Sequence, residues 1–445
     1  MCIKNERGAS VTNLYFSFDT EDFTSNYAAD GILEMANVLK EEGIRGNFCM
    51  VGLLAEQLQA WGRSDVLDAL KYHEIDFHSY GHSLHPCINE YTNVENFQEA
   101  YQEVIRQESA GIAAVKAATG VKQVYAACPP GPNESYAAMY AYSDMGIPCY
   151  VGGMVDTPDG SGAFWCNMFY LYYYAAFEWT IPSGKMLEPE YIEALAARKN
   201  VIIYNHPNRL MYNQFWDAVN FKDGINHYPF GEWKEASRMS DEEREQLRKG
   251  IREFIRKVKL DGRFKFCTFS EATEEHCTGA RILKPEDMKN LKEQLEQRFY
   301  PVKEPYSLCI SDIFGAAVKF LKGDKLYAAG RVYGFLDTPY AIQELVKVKA
   351  EDVKKTASNV DLRTFLPSEF MVGEIKLGPA DFLFAMLGAL CGDEEIILFP
   401  RPQLVDLSGL GLLGNFRMDR WMFAKDFKAE ILHKRTPLQG WTLRF

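Results

Sequence analysis

Between residues 11 and 270 the chain alternates short apolar, strand-like runs with longer amphipathic stretches, a rhythm that few folds accommodate. The strand-like runs are VTNLYFSF from Val11, GNFCMVG from Gly46, EIDFHSY from Glu74, QVYAAC from Gln123, CYVGG from Cys149, VIIYN from Val201 and FKFCTFS from Phe264. Helical segments fill the gaps, among them NFQEAYQEVIRQESAGIAAVKAATG from Asn96 and SDEEREQLRKGIREFIRKVK from Ser240, the latter with a capping Ser or Asp and an apolar stripe. Strands separated by helices are long enough apart to pair in parallel. A parallel sheet or barrel is therefore expected, with its chemistry at the C-terminal ends of the strands.

Those strand ends carry the residues that matter. The string YHEIDFHSYGHSLHP holds four of the eight histidines, and His78 and His82 stand in an HxxxH spacing. Placed on one helical turn, two imidazoles four residues apart reach a single metal ion. Asp19 and Glu21, at the end of the first strand, are two apart and so project to the same side, which supplies a carboxylate for that ion and a second one alongside. His73 reads as a structural residue on the helix leading into the strand, and His85, followed by Pro86, lies close enough in sequence to line the site.

Other chemistries find less support. Ten cysteines include no CxxC pair, and no GxGxxG, P-loop or GxSxG string occurs. With 49 basic against 61 acidic residues, neither nucleic acid nor an anionic membrane is expected as a main partner. The opening MCIKNERGAS has no apolar core of a signal peptide and no window approaches a membrane span, so a cytoplasmic location with reduced thiols is expected.

On these motifs the first 275 or so residues resemble the polysaccharide deacetylase group, the NodB-homology or carbohydrate esterase family 4 proteins. Phe18, Asp19, Thr20 and Glu21 match the aspartate motif, and GIRGNFCMVG is similar to the strand after the first helix. YHEIDFHSYGH resembles GHEIGxHxxxH, ACPPG ending at Gly131 resembles RxPxG, and VIIYNHP resembles the late strand that ends in a catalytic histidine, here His206. The resemblance implies a distorted (β/α) barrel and a divalent metal, most often zinc, with cobalt, manganese or nickel as alternatives. It implies Asp19 as general base, Glu21, His78 and His82 as metal ligands, and His206 as general acid, with Asp19 and Glu21 able to exchange roles. His85, Pro130, Gly131, Tyr204 and Arg209 are the expected substrate-lining residues, and backbone amides near Pro130 and Gly131 would complete an oxyanion site.

Three positions depart from the family pattern. The adjacent aspartates are replaced by DTE, the arginine before the Pro pair is Cys128, and the apolar residue two before the late histidine is Tyr204. Arg209, three residues past His206, is the candidate to replace the lost guanidinium, and Tyr204 leaves the acyl group open. The segment FWCNMFYLYYYAAFEW, residues 164 to 179, carries nine aromatics. It reads either as a wall of a glycan cleft or, preferentially, as a packed insertion or oligomer contact.

The chain thus divides into an α/β barrel over residues 1–282, a connector over 283–300 and a small C-terminal domain over 301–445. In the last, ISDIFGAAVKFL from Ile310 lines up with PADFLFAMLGAL from Pro379, an internal duplication similar to helical units in appendages of cell-wall-associated proteins. Recognition or homo-oligomer formation is its expected role. The expected function is metal-dependent hydrolysis of C–N amide bonds in an N-acylated sugar or glycan. The alternatives are a non-sugar amidase or ureide hydrolase acting on a small amide, and a catalytically silent glycan-binding barrel.

Overall fold

The alternation does produce parallel strands joined by helices. In the computed structural model, which describes residues 11–221, 232–304, 306–410, 422–424 and 426–445, the described chain forms two units. The first contains residues up to Gly162, Phe169–Cys277 and a segment around residues 422–430; the second contains Ala163–Met168, Thr278–Gly409 and Ile431–Phe445.

In the first unit β1 (Thr12–Thr20), β2 (Asn47–Met50), β3 (Glu74–Phe77), β4 (Ala126–Ala127) and β5 (Cys149–Gly152) come in chain order. After β6 (Ala163–Trp165), which belongs to the second unit, follow β7 (Met168–Ala176) and β8 (Asn200–Asn205). Consecutive strands pair in parallel from β1 through β5 to β7 and β8, and β8 pairs with β1. The ring is therefore closed, a seven-stranded (β/α) barrel with no free edge. A short β9 (Phe264–Phe266) pairs with the start of β1 outside the ring. Because helices cover the outside and side chains fill the inside, β1 is buried almost throughout, which is why it reads as a near-continuous apolar run.

Met168–Ala176, expected to be a packed insertion or oligomer contact, is instead a barrel strand. Its middle, Tyr172–Ala175, is half-buried, and a register irregularity between Tyr173 and Ala175 bends it as it meets β8. The helices are capped as their sequences require. Asn96 accepts the amides of Gln98 and Glu99 at the start of Phe97–Thr119, whose end is turned by Gly120 in the left-handed region. Ser240 and Glu243 form a capping box before Asp241–Asp261. His73 lies past the helix Ser64–Leu70 rather than on it; it accepts the Gly46 amide at Nδ1 (3.1 Å) and bonds the Ala36 carbonyl through Nε2 (3.0 Å), a satisfied structural histidine. Among the described residues no helix is long and apolar enough to cross a membrane.

The second unit repeats one order of elements. β10 (Ile282–Leu283), the helix Asp287–Gln297, an antiparallel bridge between Val302 and Leu308, the helix Ile310–Leu321 and β11 (Tyr327–Ala328) come first. β12 (Val346–Lys349), the helix Ala350–Ser358, a hairpin of β13 (Phe370–Val372) and β14 (Ile375–Leu377), the helix Pro379–Leu390 and β15 (Glu395–Leu398) follow. In each set the first and last strands pair antiparallel. The residues read as a connector, 283–300, hold the end of β10 and the helix Asp287–Gln297. Each long apolar helix starts with an aspartate in its first turn that reaches back to the preceding amide: Asp312 to Cys309 N (3.1 Å) and Asp381 to Gly378 N (3.3 Å). Both carboxyls are fully buried beside a guanidinium, Arg281 at 2.7 Å and Arg401 at 3.5 Å. Trp441, fully buried against Phe314 and Phe335, anchors the core of this unit, and burying a ring of that size stabilises by about 2–3 kcal/mol.

Candidate metal centre

Strand register gathers the site. Asp19 lies opposite Cys49 on β2, Phe77 lies opposite Ala127 on β4, and Ala176 lies opposite Tyr204 on β8. The residues just past these strand ends, Glu21, His78, Cys128, Glu178 and His206, consequently emerge at one rim of the barrel, its C-terminal face. The helix Ala28–Glu41 is drawn close to that rim at Gly31, where an added Cβ would stand 2.2 Å from the Pro207 carbonyl oxygen, so only glycine fits there.

Glu21, His78 and His82 each offer a ligand atom, all within 4.8 Å of one another and all buried. Glu21 Oε2 is 2.7 Å from His82 Nε2 and 3.7 Å from His78 Nε2. The two imidazoles do not share a helical turn as expected from their spacing. Residues 78–82 form an irregular loop in which Ser79 (φ 68°) and His82 (φ 55°) take left-handed backbone, and this loop, not a helix face, brings the rings to 5.4 Å. For non-glycine residues such a conformation is uncommon and persists where surrounding contacts fix it. Here the Ser79 hydroxyl accepts the His82 amide at 3.0 Å.

Each ring is oriented from behind. His78 Nδ1 donates to the Cys128 carbonyl, which leaves the Nε2 lone pair free; buried His78 Nε2 has no hydrogen-bond partner. His82 Nδ1 meets Ser83 Oγ at 3.0 Å, and that hydroxyl reaches Asp217 at 3.4 Å. Two imidazoles with the outer nitrogen held and the inner one turned to a shared carboxylate, bare in His78 and 2.7 Å from Glu21 in His82, are a donor set that fits a divalent ion.

Asp19 stands between His78 (3.9 Å) and His206 Nε2 (3.5 Å), and its Oδ1 is buried without a hydrogen bond. Burial pushes its carboxyl up more than His78 and His206 pull it down. Glu21 goes the other way. Burial raises it, but the nearby His82 and His206, with the 2.7 Å contact from His82 Nε2, hold it well below the usual range. His206 pairs through Nδ1 with Glu178; burial opposes its charge, yet Glu178, Glu21 and Asp19 push its pKa up to about 10.

The remaining expected residues are placed as follows. Tyr204 is half-buried, its ring 4.9 Å from Tyr173 and 6.1 Å from His206; burial, with Glu178 and Asp19, pushes its phenol up to about 12. Cys128, in the arginine's position, is fully buried with its sulfur 3.0 Å from Cys49 Sγ. Arg209 donates to the carbonyls of Tyr212 (3.2 Å) and Asn213 (2.9 Å) and lies over Phe215. Pro130 has no amide hydrogen, so of these two residues only Gly131, at φ 52°, can serve among the backbone amides expected to complete an oxyanion site. His85 turns Nδ1 to Glu90.

Two residues of the site were not singled out from the sequence. Glu178 was hidden in the aromatic segment, although a lone carboxylate just beyond a strand among aromatics is itself a signal. Asp217, a lone acid next to Trp216, is the other.

No family model and no curated protein matches the chain. Solved structures do resemble it. A CE4 family pseudoenzyme from Bacillus anthracis matches with a TM-score of 0.31 and 13% identity over 57% of this chain and 62% of that one. A putative polysaccharide deacetylase from Mycobacterium smegmatis matches at 0.37 and 14% over 60% and 90%. A family 4 acetyl xylan esterase from Clostridium thermocellum, in complex with a cobalt ion, matches at 0.33 and 14% over 60% and 93%. The match thus spans less than two-thirds of the Bacillus anthracis protein's length. At these scores the likeness assigns neither activity nor substrate to this chain.

Proposed function

We propose that the chain is a metal-dependent hydrolase of C–N amide bonds, with an N-acylated sugar or glycan as its leading substrate class. The observation that carries this is the convergence of Glu21, His78 and His82 with the bare, buried Nε2 of His78. A divalent ion of zinc type in that donor set, with cobalt, manganese or nickel as alternatives, supplies a water of lowered pKa and an electrophile for the carbonyl oxygen.

The chain's own groups supply the proton chemistry. Asp19, raised by burial, is the base that takes the attacking water's proton, and it lies within 3.9 Å of His78 rather than in the ligand cluster. His206, held at Nδ1 by Glu178, carries its proton on Nε2 toward the site and gives it to the departing nitrogen. Each such transfer is worth about 10²- to 10⁴-fold. The rings of Tyr204 and Phe215 beside His206 suit the apolar face of a sugar ring.

Tyr204 also favours a second reading, a small linear or cyclic amide or ureide, because its bulk narrows the space for an acyl group. The second unit holds, among the described residues, no cluster of three metal-ligating side chains, and we read it as a recognition or homo-oligomer-forming part. The test is release of acyl groups by metal-loaded protein from a panel of N-acylated oligosaccharides and small amides. Turnover on the sugars that is lost in Asp19→Asn supports the first reading, turnover on amides alone supports the second, and none on either panel overturns both.

A further inference from the structure

Just past the loop that carries His78 and His82, a different set of side chains converges. His85 Nδ1 lies 2.8 Å and 2.9 Å from the two Glu90 oxygens, and Cys87 Sγ lies 4.0 Å from the same nitrogen. One ligand atom from each is within 4.8 Å of the other two. Cys87 is almost completely buried, and the His85 and Glu90 side chains keep 14% and 19% of their exposure, so the cluster is closed on the sulfur side and open on the other.

We propose that His85, Cys87 and Glu90 form a second, zinc-type metal site, separate from the Glu21, His78 and His82 cluster. With metal bonds of about 2.0–2.3 Å, ligand atoms around a tetrahedral ion stand roughly 3.3–3.8 Å apart. The observed 2.8 Å and 4.0 Å bracket that range, so small side-chain shifts admit an ion. Thiolate, imidazole and carboxylate together select a borderline-soft cation over magnesium or calcium. The ion takes the place of the proton between His85 Nδ1 and Glu90; that proton and the Cys87 thiol proton both leave to solvent, His85 keeps its hydrogen on Nε2, and water fills the open fourth position.

The sequence layout supports a local clip. All three ligands fall within six residues, HPCINE, and Glu90 already holds the Cys87 amide at 2.6 Å as the capping residue of the helix Ile88–Thr92. Part of the ordering cost of the site is therefore met before metal arrives. The ion would fasten the segment that continues directly from the His82 loop.

Cobalt distinguishes the two clusters, since only this one contains sulfur. The full-length protein titrated with Co(II) is expected to take up two equivalents and to develop a near-ultraviolet thiolate-to-cobalt charge-transfer band. Cys87→Ser and His85→Gln should each abolish the band and one equivalent, with far-ultraviolet circular dichroism unchanged, whereas His78→Ala should lose one equivalent and keep the band. If Cys87→Ser does not fold, the His85→Gln result decides. A wild-type protein without the band under excess cobalt, or a band that survives both His85→Gln and Cys87→Ser, overturns the proposal.

Discussion

Two pairs of acids, each with its members two residues apart on barrel strands, meet opposite fates. Asp19 and Glu21 close β1, and Glu74 and Asp76 lie within β3; all four are buried. Asp76 accepts the amides of Tyr125 (3.1 Å) and Ala126 (2.8 Å), and Glu74 accepts the amide and hydroxyl of Ser270. Those partners are neutral and fixed by the fold. Asp19 and Glu21 face three imidazoles instead, with Asp19 Oδ1 and His78 Nε2 left bare. A buried acid is thus no sign of chemistry in itself. What separates the pairs is whether their partners can exchange protons or share an ion.

The contrast breaks most visibly in turnover. Asp19→Asn and His206→Ala are each expected to lower kcat on the true substrate by about 10²- to 10⁴-fold while metal stays bound, as measured by steady-state kinetics with parallel metal analysis. Metal loss in Asp19→Asn would make Asp19 a ligand and Glu21 the base. Next in size is Ser83→Ala. Cutting the link from His82 through Ser83 to Asp217 should weaken metal affinity by about 10- to 100-fold in competition with a chelator.

The β3 pair should respond in stability alone. Asp76→Ala leaves the buried Ala126 amide and the part-buried Tyr125 amide without this acceptor and is expected to cost about 1–3 kcal/mol in urea unfolding, with metal content per chain unchanged. A loss of metal there would erase the distinction between the pairs.

The smallest effect is a shift in pH dependence. Although burial opposes its charge, Glu178, Glu21 and Asp19 push the His206 pKa up to about 10, so its contribution to stability is expected to be complete below about 6.5 and lost as the pH rises through about 10. Glu178→Gln removes the carboxylate at Nδ1, so the alkaline limb of the rate profile should move toward neutral pH. A limb that stays in place would show that Glu178 does not set the proton affinity of His206.

What the sequence made legible follows the same division. β1, β3 and β8 could be read because burial leaves short apolar runs, and the helix Phe97–Thr119 because Asn96 and Gly120 mark its ends. Met168–Ala176 could not, since aromatics in unbroken succession hide the period-two pattern of a strand with one half-buried stretch. The HxxxH spacing picked out two histidines that do converge, but on the wrong backbone, because left-handed turns at Ser79 and His82 leave no trace in spacing. Glu178 meets His206 only through the pairing of β7 with β8, a tertiary fact that no local pattern encodes.

The central claim is that Glu21, His78 and His82 hold an ion. Metal content measured by plasma emission after cobalt-free zinc loading on His85→Gln protein, alone and with His78→Ala or Asp76→Asn added, tests it most directly. The account predicts one equivalent in the His85→Gln parent and in its Asp76→Asn variant and none with His78→Ala added. Equal zinc in all three would contradict it.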